Sequence, residues 1–173
     1  DAGGTKITEL PNEIIQLKQL TDLFLSDTEI DQLPPNLGNL YKLASLDLSN
    51  TNIFDLPFEI QQLQSIEYLN LSKTPLSVLP IEISQLKNLR NLNLSRTAIS
   101  ELPSGIRELQ RLLYIDLSET KITSIPSQII QLVNLKELDI SRTPVVDLPP
   151  SISQLRNLTK LNLSYTQITS LPT

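Results

Sequence analysis

Two carboxylates, Asp116 and Asp139, stand in matching settings, Tyr-Ile-Asp-Leu-Ser and Glu-Leu-Asp-Ile-Ser. On neighbouring strands such residues would lie about 5 Å apart. Like charges that close should bind a proton or a cation, or wait for a basic group of a partner. The separation also suits the acid pair of a retaining glycosidase. That catalytic reading is set aside, because no cleft-forming insertion accompanies the two acids. Other catalytic classes are excluded by composition. With no His and no Cys there is no Ser-His-Asp or Cys-His nucleophile, no imidazole or thiolate zinc site, no disulfide frame and no redox centre. Ser26, Ser49, Ser72, Ser95, Ser118, Ser141 and Ser164 recur at one relative position without a base beside them. They read as a ladder of structural hydroxyls. The expectation is a non-enzymatic chain without cofactor or metal.

The remaining composition narrows the class further. The chain has 173 residues, a net charge of −5, 39% hydrophobic residues, 12 Pro, 4 Gly and no Met or Trp. That length suits one domain with a sizeable core. No apolar run approaches the ~18 residues of a membrane span. A pI near 4.7 argues against general nucleic-acid binding, which needs clustered cations to neutralise phosphates. Absence of Met reads as a processed product or an excised piece of a longer chain.

Positions that could do chemistry must be held by some repeating element, and the prolines reveal it. Pro11, Pro34, Pro57, Pro80, Pro103, Pro126, Pro149 and Pro172 recur at one constant interval, the length of the unit L-P-x-x-I-x-x-L-x-x-L-x-x-L-x-L-S-x-T-x-I-x-x. Asp116 and Asp139 occupy the same place in consecutive units. Seven full copies run over 10–170, with partial copies at 5–9 and 171–173, so 1–173 reads as one domain that begins and ends in mid-repeat, a segment of something longer. Within the fourth copy, Ile83, Leu86 and Leu89 step by three, as on a short 3₁₀ or single α turn entered at Pro80. Leu92 and Leu94 step by two, as on a strand that turns Asn91, Asn93 and Ser95 outward. One unit cannot bury its leucines alone, whereas stacked units make a continuous core. The predicted fold is therefore an α/β solenoid: an arc with a parallel β-sheet on its concave side and bulkier 3₁₀ or helical turns on its convex side.

The run L-x-x-L-x-L-S-x-T-x-I resembles the leucine-rich repeat family and covers residues 5–173. In most families of this fold an Asn at the ninth motif position bonds neighbouring coils. Here Thr28, Thr51, Thr74, Thr97, Thr120, Thr143 and Thr166 occupy it, and their hydroxyls are expected to form a weaker ladder. The Thr variant followed by Leu-Pro is similar to the repeats of plant intracellular nucleotide-binding immune receptors. That resemblance implies sensing of pathogen effectors or modified host proteins, and autoinhibition of a nucleotide-binding switch, in plant defence and disease resistance. No Gly-x-x-x-x-Gly-Lys-Ser/Thr loop occurs, so a nucleotide-binding domain would lie outside this chain. Bacterial repeat proteins with L-P-x-x-I units of the same length, usually with Asn, support the alternative of a free-standing or bacterial scaffold that binds a protein or a cell-surface glycan.

Comparing the copies separates scaffold from candidate site. The central outward position holds Phe24, Asp47, Asn70, Asn93, Asp116, Asp139 and Asn162, read mainly as a polar ladder. Gln16, Asn39, Gln62, Gln85, Glu108, Gln131 and Gln154 form a second ladder on the outer face. The other outward positions vary. Phe24, Tyr68, Tyr114 and Tyr165 put four of the chain's seven aromatics on about a fifth of its length, and rigid amphipathic rings are typical of interface centres. Lys73, Arg90 and Arg96 are expected as a basic cluster beside Tyr68. Asp116, Glu119, Glu137 and Asp139 are expected as an acidic zone further along, and a partner with complementary stripes would be held in register. The candidate partner-binding residues on the concave face are Phe24, Tyr68, Lys73, Arg90, Arg96, Tyr114, Glu119, Arg142 and Tyr165. They imply a protein partner, no nucleic acid and no membrane, and a monomeric isolated domain. Lack of Cys and the sequons at Asn70, Asn93, Asn157 and Asn162, three of them on the concave strands, point to a cytoplasmic setting.

Overall fold

In the computed structural model, which describes residues 1–172, each copy of the repeat makes one coil with one strand. The strands are β1 (Asp22–Phe24), β2 (Ser45–Asp47), β3 (Tyr68–Asn70), β4 (Asn91–Asn93), β5 (Tyr114–Asp116), β6 (Glu137–Asp139) and β7 (Lys160–Asn162). They form one parallel sheet in the order β1-β2-β3-β4-β5-β6-β7. Every register joins equivalent positions, so Leu46 pairs with Leu69 and Leu69 with Leu92. At about 4.8 Å per strand the seven rows span roughly 30 Å. A 3₁₀ turn follows the proline of each copy, as the steps of three predict.

Local chemistry accounts for both ends of that turn. Pro11, Pro57, Pro80, Pro103 and Pro126 sit at the N-cap with φ between −63 and −67°. Their carbonyls accept the amides of Ile14, Ile60, Ile83, Ile106 and Ile129, while the missing proline N–H is one that a helix start leaves unbonded anyway. Where a second proline follows, Pro35 or Pro150, the 3₁₀ segment starts later and is three residues long. The turn ends at a Leu in inverse-γ geometry, such as Leu86 at φ −77° and ψ 63°. The Lys87 amide then donates to the Gln85 carbonyl at 2.8 Å. This places the outer Gln row, Gln16 to Gln154, at a tight corner of each coil.

The core is a stack of aliphatic columns. Leu46, Leu69, Leu92, Ile115 and Leu138 from the strands and Ile60, Ile83, Ile106 and Ile129 from the 3₁₀ turns are all buried. Each such side chain contributes about 1.5–3 kcal/mol relative to exposure. No coil supplies this burial alone, which is why the repeat stands only as a stack.

Asp1 to Thr5 extend the pattern beyond the sequence reading, which starts the first partial copy at Thr5. Ala2 and Gly4 donate their amides to the carbonyls of Phe24 and Ser26, and Thr5 Oγ1 donates to the Ala2 carbonyl. Asp1 Oδ1 accepts the Gly3 amide at 2.9 Å. Each bond has its counterpart in later coils, so Asp-Ala-Gly-Gly-Thr is a strand end and turn written in smaller residues. Of the last partial copy, 171–173, Thr173 lies outside the described residues.

Candidate recognition surface

The strands are only three residues long, which divides the nine candidate residues into separate rows. Phe24, Tyr68 and Tyr114 lie on β1, β3 and β5, and Arg90 directly precedes β4. Lys73, Arg96, Glu119, Arg142 and Tyr165 lie beyond the strands, in a turn where each has a positive φ of 56–60°. The first group lines the concave sheet, and the second forms a parallel row along its C-terminal edge.

In six of the seven coils the central outward residue braces that turn, and the coil of Phe24, which has no such oxygen, makes the turn all the same, with Asp27 at φ 57°. In those six, Oδ1 accepts the backbone amide of the serine two residues on: Asp47 from Ser49, Asn70 from Ser72, Asn93 from Ser95, Asp116 from Ser118, Asp139 from Ser141 and Asn162 from Ser164, all at 2.8–3.1 Å. This Asx bond takes the amide out of the strand pattern. The next residue enters the left-handed region, and its amide reaches the serine carbonyl of the following coil, as Arg96 does with Ser118 at 2.9 Å. The expected serine ladder is therefore built from backbone carbonyls, not hydroxyls. Sideways Asn-to-Asp bonds occur as well, Asn70 to Asp47 at 3.2 Å and Asn162 to Asp139 at 2.8 Å.

The expected threonine ladder does not join the coils. Thr28, Thr51, Thr74, Thr97, Thr120, Thr143 and Thr166 each donate to the carbonyl three residues back in their own coil, at 2.6–2.8 Å. At this place just past the strand the nearest acceptor is the carbonyl of the same coil, and the hydroxyl is committed to it. Besides the sideways Asn-to-Asp bonds, side-chain bonds between coils come from a position just ahead of the strand that the repeat pattern leaves unmarked. Ser65, Asn88, Asn134 and Asn157 donate to the carbonyls of Tyr41, Gln64, Gln110 and Val133, each one coil back. Recurrence of short amides three residues before the strand, at Asn88, Asn134 and Asn157, was the available signal.

Charge on the concave side is more balanced than the two expected stripes. Arg90 pairs with Glu67 at 3.2 Å, and Arg96 reaches Glu119 Oε1 through Nε at 3.0 Å and Nη2 at 2.9 Å. The basic cluster is thus largely compensated from within the face, leaving Lys73 exposed beside it. Lys160 pairs with Glu137 at 3.3 Å. Exposed pairs of this kind contribute only about 0–1 kcal/mol each, so they act mainly by cancelling local charge. Arg142 lies over the Tyr165 ring, 4.5 Å from its centroid, and Tyr165 is 78% exposed.

Asp116 and Asp139 meet as expected, in direct register across β5 and β6. A shallow cavity of about 230 Å³ opens beside them on the concave sheet, with Tyr68, Asn91 and Tyr114 on one side and Glu137 and Lys160 on the other. Tyr68 is half-buried, and burial first, then the charge of Asp47, raises its pKa, against a smaller opposing effect of Asn70. Among the described residues no group of three or more His, Cys, Asp or Glu side chains is placed to hold a metal ion. Among the same residues no helix is long and apolar enough to cross a membrane.

Known proteins place this geometry. No curated protein matches the chain. The solved structures include a leucine-rich repeat protein of Leptospira interrogans, 34% identical over 99% of this chain and 44% of that one, with a TM-score of 0.97. The internalin inlF of Listeria monocytogenes is 26% identical over 98% of this chain and 48% of its own, with a TM-score of 0.88. The ectodomain of the Arabidopsis thaliana membrane receptor kinase GASSHO1/SCHENGEN3, in complex with CASPARIAN STRIP INTEGRITY FACTOR 2, is 32% identical over 92% of this chain and 20% of its own, with a TM-score of 0.83. The chain spans less than half the length of each. Family profiles described as a leucine-rich repeat region match residues 35–112 and 81–145, and one for leucine-rich repeats in two copies matches 133–173. With its buried aliphatic columns, seven in-register strands and these matches, the chain belongs to the leucine-rich repeat family.

Proposed function

We propose that the chain is a non-catalytic protein-recognition module that docks its partner on the concave sheet. The observation that carries this reading is the division of labour within each coil: inward positions are aliphatic throughout and buried in the middle coils, while several outward positions differ from copy to copy and hold Tyr68, Tyr114 and Tyr165. The left-handed row supports it. Gly4 and Asn50 suit a positive φ, whereas Lys73, Arg96, Glu119, Arg142 and Tyr165 bear its cost with long side chains. Such residues gain nothing from the backbone there, and their value is what they present to a partner. Alanine at Tyr68, Arg96, Tyr114 and Arg142 together should abolish partner capture in a pull-down while leaving the fold intact by circular dichroism. Unchanged capture would sink the assignment.

Two settings suit such a module. Effector or host-protein sensing with autoinhibition, in a cytoplasmic plant immune receptor, rests on the threonine variant of the repeat. Asn70 supports an unglycosylated setting, because it is 8% exposed with both ends of its amide bonded. Likeness to the Leptospira and Listeria proteins over nearly the whole chain favours the second setting, a free-standing or bacterial scaffold that binds a protein or cell-surface glycan. In either, the isolated domain works as a monomer. Sedimentation velocity tests that point, and the compartment in which an antibody against the chain finds the protein, inside the cell or at its surface, separates the settings.

A further inference from the structure

The two tyrosines of the concave sheet are held at a fixed spacing. Tyr68 and Tyr114 are both register partners of Asn91, so they flank it from β3 and β5 at about 10 Å. That gap admits one extended side chain between the rings, above a small polar floor. Next to it the cavity reaches Asp116 and Asp139. Each has one oxygen committed to a serine amide, and Asp139 Oδ2 also accepts from Asn162. No donor among the described residues reaches Asp116 Oδ2. Three cations of this face are occupied elsewhere: Arg90 with Glu67, Arg96 with Glu119, Lys160 with Glu137. Among the described residues no ion pair reaches Asp116 or Asp139, so the cavity keeps two uncompensated negative charges beside two aromatic faces.

We propose that this cavity receives a lysine or arginine side chain from an extended, basic segment of a protein partner, with its stem between Tyr68 and Tyr114 and its cation at Asp116 and Asp139. Aromatic faces and carboxylates attract the same kind of group, and Asn91 and Asn93 beside it can bond the segment's backbone. An extended chain of about six residues covers the width of β3 to β7 and turns every second side chain to the sheet. The inference rests on the concave-face reading and names the chemistry of its occupant.

The test uses the whole chain and a fluorescein-labelled decapeptide of alternating Lys and Ser, followed by fluorescence anisotropy and by amide shifts. Saturable binding is expected, with shifts confined to β3–β7. Asp116→Asn with Asp139→Asn, which keeps both Asx acceptors, should weaken it about tenfold, and so should Tyr68→Ala with Tyr114→Ala. Asp31→Asn with Asp55→Asn, on the edge away from the sheet, should leave affinity unchanged. Equal loss in that control, no loss on neutralising Asp116 and Asp139, or displacement by spermidine at concentrations equal to the peptide's would overturn the proposal. If instead an alternating Glu and Ser decapeptide shifts β3–β7, the concave-face reading stands and the basic occupant is wrong. Shifts mapping to the convex turns would remove both.

Discussion

Asp116 and Asp139 face one another across β5 and β6, yet each keeps one carboxylate oxygen on a serine amide, 2.9 Å to Ser118 and 2.8 Å to Ser141. A pair that looks catalytic by spacing therefore has a structural duty first. Asn70, Asn93 and Asn162 perform the same duty without charge. Asp116→Asn should accordingly leave stability unchanged or raise it slightly, by relief of repulsion. Asp116→Ala should cost about 0.5–1.5 kcal/mol through the lost bond. Urea unfolding of the two variants checks the difference.

Left-handed backbone at Lys73 (φ 58°) is unfavourable for a residue with a Cβ and costs glycine nothing. Lys73→Gly should stabilise the chain by about 0.5–1 kcal/mol despite the greater freedom of the unfolded glycine, and Lys73→Val should destabilise it by more than that. A chain made more stable but poorer at binding would show that this row trades stability for recognition. Thermal melts read the first part, and the pull-down reads the second.

Because each threonine bonds within its own coil, Thr97→Val should cost about 1 kcal/mol by leaving the Leu94 carbonyl without that donor. Thr97→Val and Thr120→Val should add, with a coupling below about 0.5 kcal/mol. A larger coupling in a double-mutant cycle would restore the ladder between coils. Asn134→Ala, by contrast, removes a bond that crosses to Gln110.

Gly38 is held by space and not by φ. A Cβ built there meets the backbone carbonyl oxygen of Glu59 at 2.7 Å as well as the Gln62 side chain. A backbone oxygen cannot swing aside, so Gly38→Ala should cost about 1–3 kcal/mol. At Gly105 the obstacles are Ile81 Cδ1 and Ser84 Cβ, each at 2.7 Å. The flexible end of Ile81 can yield, and the smaller loss expected for Gly105→Ala is measurable in the same urea series.

Tyr68 has its pKa raised above the ordinary 10.0, by burial first and by Asp47 second. The folded state then holds the phenol proton more tightly than the unfolded state. The stability this confers is whole below pH ~10 and is lost as pH rises through the folded pKa. Absorbance titration at alkaline pH should show Tyr68→Phe losing a late-titrating component, and Asp47→Asn moving that component to lower pH. Loss of an early component instead would contradict the assignment.

Much of the scaffold was legible before any coordinate. Prolines at a constant interval, Leu92 and Leu94 two apart, and Ile83, Leu86 and Leu89 three apart set the coil, its strand, its 3₁₀ turn and the inward face. Periodicity encodes these because burial depends only on which side of the chain a residue occupies. The placement of Phe24, Tyr68 and Tyr114 on the outward side of the strands was legible for the same reason, since outward positions are the complement of inward ones. Which side-chain bonds each polar residue makes was not. Thr97 and Asn88 are both small polar residues in a regular repeat, yet one closes its own coil and the other links two. The choice is set by place in the coil: Thr97 stands just past its strand, where the hydroxyl meets the Leu94 carbonyl at 2.7 Å. Asn88 stands just ahead of the strand beside the Gln64 carbonyl of the preceding coil, a gap that the short hydroxyl of Ser65 also crosses, to Tyr41. The pairing of Arg96 with Glu119 and the left-handed turn that separates Lys73 and Arg96 from the strands likewise depend on neighbours from adjacent coils that stacking brings together. Sequence alone determined which residues face inward and how often the coil recurs; tertiary structure decided where hydrogen bonds and charges are satisfied, because those depend on distances of a few ångströms that only stacking creates.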